Sequence, residues 1–130
     1  MIRSIERQKG RIRLCLRLLF MGADVCLVLT GGERPHLGAV AVAQARESLA
    51  APGKLSATVS NITLPGHKDD DLARDIAKRF SASTATQVAV CCRIHLDGLL
   101  PDELEDIIAM SNDMLEEMIN WVIKRSRPVS

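Results

Sequence analysis

The order of hydrophobic patterns along the 130 residues predicts an α+β fold. The expected architecture is an about five-stranded, mainly antiparallel sheet in the order β-β-β-β-α-β-α, with two helices packed on one face. Three observations carry this. Apolar residues alternate with polar ones from Ile12 to Phe20, a strand period. Four stretches of β character precede the first helical period, and a long helical stripe closes the chain. The length suits one domain with its own core. That domain is expected over 10–126, with a basic N-terminal segment at 1–9 and a short tail at 127–130.

In the first strand Ile12, Leu14, Leu16, Leu18 and Phe20 alternate with Arg11, Arg13, Cys15 and Arg17, giving one buried and one largely polar face. The Gly22-Ala23 turn leads to a continuous apolar run, Val25 to Thr30, suited to a central strand in a hairpin with the first. After Gly31-Gly32, the segment Leu37 to Ala45 alternates Val40 and Val42 with Ala39, Ala41 and Ala43, so one face of that strand is small. Ala51-Pro52-Gly53 breaks the chain. Leu55 to Leu64 resumes a strand whose apolar phase slips near Asn61, where a bulge is expected. Asp69-Asp70-Asp71 opens a helix with the apolar stripe Leu72, Ala73, Ile76, Ala77 and Phe80. Thr86 to Leu96 returns to strand, and Pro101 starts a last helix with Leu104, Ile107, Ile108, Leu115, Met118, Ile119 and Val122 toward the core. The Met110, Met114, Met118 series has helical spacing and reads as core or dimer surface. A meander of the first four strands, followed by a helical crossover to a fifth strand parallel to the fourth, would place the three turns described next at one rim.

Seventeen Lys and Arg against 16 Asp and Glu give a net charge of +1, which supplies no broad pull toward nucleic acid or anionic membrane. With two Phe, one Trp and no Tyr, the stacking platform of single-strand binders is missing. Cys15, Cys26, Cys91 and Cys92 lie in apolar runs without metal-type spacing, as expected of thiols in a reducing compartment. Arg17 and Asp24 interrupt the apolar stretch from Leu14 to Leu29, so no membrane segment is expected and the chain reads as cytoplasmic.

All three histidines sit in glycine-flanked turns: Gly31-Gly32-Glu33-Arg34-Pro35-His36-Leu37-Gly38, Pro65-Gly66-His67-Lys68-Asp69, and His95-Leu96-Asp97-Gly98. The first turn reads equally as an anion nest of backbone amides or as a tight hairpin loop. It is neither a Walker loop nor a dinucleotide fingerprint, because no Gly-Lys-Ser/Thr follows and a strand comes next. In the second, Gly66, His67 and Lys68 stand before a helix, where they suit either a phosphate or an N-cap. His95 and Asp97 are spaced to orient one another. Gly31, Gly32, Glu33, His36, Gly38, Gly66, His67, Lys68, His95 and Asp97 are therefore the candidate binding residues. No Ser or Cys stands among them, which favours binding or proton transfer over covalent catalysis. A metal site built from the three histidines is the alternative, and no metal is expected.

Taken together, Leu29-Thr30-Gly31-Gly32 with Pro35-His36-Leu37-Gly38-Ala39-Val40-Ala41, then Leu64-Pro65-Gly66-His67-Lys68-Asp69-Asp70, then Ile94-His95-Leu96-Asp97, resemble the LpdD-like prenylated-flavin chaperone family. These are small accessory proteins of UbiD-type decarboxylases. The resemblance runs from the first strand to the last helix and departs from the expected pattern in having Gly98 where Asn would stand. It implies a proteasome-assembly-chaperone-like fold. It also implies a non-catalytic accessory role in which prenylated FMN or FMN is bound transiently for the decarboxylase. A small enzyme using the rim histidines, with or without a metal, and a plain assembly chaperone without a small-molecule ligand are the other readings. A homodimer is expected, through the sheet face opposite the helices with Ala39, Ala41 and Ala43 as its apolar strip, or else through Met110, Met114 and Trp121 of the last helix.

Overall fold

The computed structural model describes residues 2–33, 37–64 and 70–126. Eight elements follow in order: β1 (Ile2–Lys9), β2 (Ile12–Met21), β3 (Asp24–Gly32), β4 (Ala39–Glu47), β5 (Leu55–Thr63), α1 (Asp70–Thr84), β6 (Val88–His95) and α2 (Pro101–Ser126). The expected α+β class and element order stand, with one strand added at the N-terminus. Ile2–Lys9, expected as a basic segment ahead of the domain, is an edge strand paired antiparallel with β2. Only Ile5 of this strand is buried, so its sequence shows no sustained period of two. On the same face as Ile5, Arg3 lies over the Trp121 ring of α2 and Arg7 pairs with Glu117. Two cations thus take positions where the pattern leads one to look for apolar side chains.

The sheet order is β1-β2-β3-β6-β4-β5. This corrects the expected meander: β3 and β4 are not neighbours, because β6 inserts between them, parallel to β3 and antiparallel to β4. The continuous apolar run of β3 fits a strand with a neighbour on each side and helices above. The register of β4 with β5 runs unbroken from Ala39 opposite Thr63 to Glu47 opposite Leu55, so the bulge expected near Asn61 is absent. Ile62 instead points to the open face and is exposed.

The core lies between the sheet and the two helices. Leu14, Leu16 and Leu18 of β2, Val25, Leu27 and Leu29 of β3, and Val88, Val90 and Cys92 of β6 meet Ile76, Phe80, Met114, Leu115 and Met118. The phase of β4 is the reverse of that expected for the dimer strip. Ala39, Ala41 and Ala43 are fully buried beneath α1, while Val42 is exposed on the open face. Hydrophobicity alone favours valine inside. The deciding term is the close approach of α1, which brings its own Ala73 and Ala77 inward over β4 and leaves room only for methyl groups. The alternative dimer surface on α2 changes too, because Met114 is fully buried and Trp121 packs with Phe20 and Arg3.

β3 and β6 both end where β4 begins and β5 ends, with Gly32 opposite His95, and Ala39 opposite both Cys92 and Thr63. The β1–β2 turn reaches the same rim, since Leu14 stands opposite Gly31. Both helices start there and run away from it side by side, linked where Arg79 of α1 bonds Asn112 and Glu116 of α2.

Candidate functional site

The rim gathers the described members of the first and third turns; the second, Pro65 to Asp69, lies outside the described residues. Gly32 is required by packing, and Gly31 is crowded. A Cβ on Gly31 would collide with the Leu14 side chain, and one on Gly32 would collide with the His95 carbonyl. Gly32 also has φ +85°, a conformation that favours glycine. The Glu33 amide donates to the His95 carbonyl at 3.2 Å and the Gly38 amide donates to the Cys92 carbonyl at 3.1 Å. The amides of Glu33 and Gly38 therefore tie the loop to β6 rather than facing outward as a nest. His36 lies outside the described residues, as do Gly66, His67 and Lys68.

His95 is brought to the rim by the last position of β6, on the open face. Its Nε2 lies 2.9 Å from Asp97 Oδ1, so the two residues do orient one another, as their spacing predicts. Gly98 follows with φ +62° and nothing within 4 Å of an added Cβ. Beside them stands Arg11, which donates to both oxygens of Glu103 at 2.6 and 2.8 Å and to the Gly98 carbonyl at 3.3 Å. Glu103 Oε1 in turn accepts from the Leu100 amide, half of a capping box at the start of α2. This guanidinium and that amide hold the Glu103 carboxyl down at about 2. Hydrogen bonding to Glu103, helped by the negative fields of Glu103, Glu33 and Asp97, raises Arg11 above its ordinary value, so this corner is mixed rather than plainly cationic. Among the described residues no three His, Cys, Asp or Glu side chains converge on one point.

On the open face just below the rim is a cavity of about 210 Å³ lined by Val28, Thr30, Leu37, Cys91 and Arg93, among others. Arg93 stands opposite Thr30 and is only 8% exposed. Arg11 and Arg93 were not among the candidates. For Arg93 the available signal is one cation inside the otherwise apolar run from Val88 to Ile94; for Arg11 it is adjacency to a turn that the topology carries to the rim. All four cysteines are free thiols. Burial, with help from the neighbouring Cys91 thiol, pushes Cys26 above its ordinary value. No helix among the described residues is long and apolar enough to cross a membrane.

A mixed sheet covered on one face by two helices, both starting at a glycine- and histidine-bearing rim, is a fold that a solved chaperone structure shares. One chain in the crystal structure of a chaperone complex for yeast 20S proteasome assembly superposes with a TM-score of 0.57, at 18% identity, over 93% of this chain and 98% of that one. Residues 8–123 match the prenylated flavin chaperone LpdD-like domain, and the chain belongs to that family. Protein LpdD of Lactiplantibacillus plantarum is 24% identical over 110 residues, covering 81% of this chain and 74% of LpdD.

Proposed function

We propose that this protein is a non-catalytic carrier that holds prenylated FMN, or FMN itself, at the rim and hands it to a UbiD-type decarboxylase. Membership of the prenylated flavin chaperone family supports the flavin class. The observation that carries the reading is convergence: the Gly31-Gly32 crossing, the His95–Asp97 pair and the starts of both helices share one end of the sheet. A phosphate suits the segment of Gly66, His67 and Lys68 ahead of α1, where the helix dipole adds to the lysine charge. On this reading the described Glu33, Gly38, His95 and Asp97 border the flavin body. Peptide planes and aliphatic contacts take the place of the aromatic stacking that the sequence lacks. The free thiols suit a reducing cytoplasm.

Calorimetry under reducing, anaerobic conditions tests the carrier role. Lys68→Ala and His67→Ala should each weaken FMN binding and leave riboflavin binding unchanged, because only FMN carries the phosphate. Equal loss for both ligands, or no flavin binding by the unaltered protein, overturns the proposal.

A second copy is proposed to cover the half of the open face far from the rim. Ile2, Leu19, Cys26, Ala89 and Val42 stand in one row across five strands there, with Ile2 66%, Leu19 44% and Val42 43% exposed. Neither α1 nor α2 packs on this side, and a symmetric sheet-to-sheet contact would bury the row.

A further inference from the structure

We propose that the seam between α1 and α2, at its rim end, is a docking site for an amphipathic helix of a partner protein, one with an apolar ridge and basic flanks. This inference stands apart from flavin binding and asks nothing of the rim turns. The spacing of Leu104 and Ile108 groups them with the core residues of α2, and yet they are 48% and 46% exposed. Leu100, just ahead of the helix, is 60% exposed. Leu104 and Ile108 begin an i, i+4 ridge of α2 whose next two members are Asn112 and Glu116. Arg79 of α1 bonds both of these, at 2.8 and 2.6 Å. The ridge therefore runs along the seam, bridged by Arg79 in the middle and open toward the rim. On α1, stepping back from Arg79 by one turn and then by two reaches Asp75 and the half-buried Leu72, which form the facing wall.

Two helical walls suit a third helix rather than a strand. Their backbone groups are already paired within the helices, so an extended peptide would gain no main-chain bonds there, whereas a helix satisfies its own and offers side chains alone. The charge of the border selects the partner. Asp75 and Glu105 are exposed on the two walls and take part in no ion pair among the described residues, and α2 holds no Lys or Arg before Lys124. A basic flank is attracted to this border and an anionic lipid surface is repelled. A second copy does not fit, because α2 would set carboxylates against carboxylates, and α1 already buries its apolar stripe of Ala73, Ile76, Ala77 and Phe80 in the core. The open stretch from Pro101 to Ile108 is about two turns, or 11 Å, long, which sets the length of partner helix it covers.

Titration of the ¹⁵N-labelled full chain, without flavin, tests this with two synthetic helical peptides of about 15 residues. The peptides share a leucine ridge and differ only in flanks of lysine or of glutamate. The lysine peptide should saturably shift the amides of Leu72, Leu104 and Ile108, binding about tenfold more tightly than the glutamate peptide. Leu104→Ser with Ile108→Ser should weaken the lysine peptide by about tenfold and leave the fold intact, since both side chains are already half exposed. Asp75→Lys with Glu105→Lys should reverse the preference between the peptides. Equal affinity for the two peptides, shifts confined to other residues, or an unaltered affinity and preference in either folded double variant overturns the proposal. If one double variant does not fold, the other decides alone. Flavin binding should be the same in both double variants, so failure of the docking site and failure of the flavin reading are seen separately.

Discussion

At the scale of single residues, glycine and alanine positions carry the sharpest consequences. Gly32 combines φ +85° with a backbone approach that admits no Cβ. Gly32→Ala should lower stability by about 2–4 kcal/mol, read from the shift of a urea midpoint, because strain and collision add. Ala85 sits at φ +58° just past α1, where its amide bonds the Ser81 carbonyl. This is the left-handed C-cap position that glycine fills most easily, so Ala85→Gly should stabilise by about 0.5–1 kcal/mol in the same assay. Gly98 has a similar φ but open space around it. Asparagine also tolerates that conformation, so either Gly or the Asn that the resemblance leads one to expect suits this turn. The sequence made the glycine pairs visible as turn residues. It did not separate a nest from a packing requirement, because that depends on Leu14 and His95, which are brought there by different strands.

Among the elements, α2 is fixed at its start by Arg11 and Glu103. The Glu103 carboxyl titrates near 2 in the folded chain, against an ordinary value of 4.5. Its stabilising contribution is therefore complete above about pH 4.5 and is lost as the pH falls toward 2. Thermal melts of Glu103→Gln should lack this component of acid destabilisation, while at neutral pH the variant melts at a lower temperature than the parent. Strands β2 and β3 and both helices were legible because their periods are strong and their charges fall on one side. Strand β1 was not, since Arg3 and Arg7 occupy its inner face and are held by Trp121 and Glu117 of a helix more than a hundred residues away. The phase of β4 was misread for a related reason. Valine is the more apolar residue, but the helix above β4 accepts only alanine, so Ala41→Leu should cost about 1–3 kcal/mol by overpacking.

For the whole molecule, the class and the shared rim followed from the sequence, while the order of strands did not. Alternation reports which face a residue takes and is silent about which strand lies beside which. The rim survived the wrong neighbour assignment because β5 and β6 both run in the direction of β3, so their ends meet whichever pairs are hydrogen-bonded. The open face is where assembly is expected. Leu19→Asp should convert a sedimenting dimer to monomer at micromolar concentration without loss of folding, since the side chain is already 44% exposed. A monomeric parent protein over that range would remove the proposed dimer.

The insertion of β6 between β3 and β4 has a consequence for how the chain reaches this state. The hairpins β1–β2–β3 and β4–β5 can each form from local sequence, but the strand that joins them is not synthesised until position 95. Until then two inner edges, rich in valine, leucine and alanine, stand without their central partner. Closing the gap pairs β3 with residues some sixty positions downstream, a non-local step that slows folding and prolongs exposure of those edges. A chain ended after Ala85 should therefore fail to give a cooperative unfolding transition and should aggregate. Adding a separate peptide spanning 86–96 should restore part of the solubility by supplying the missing strand in trans.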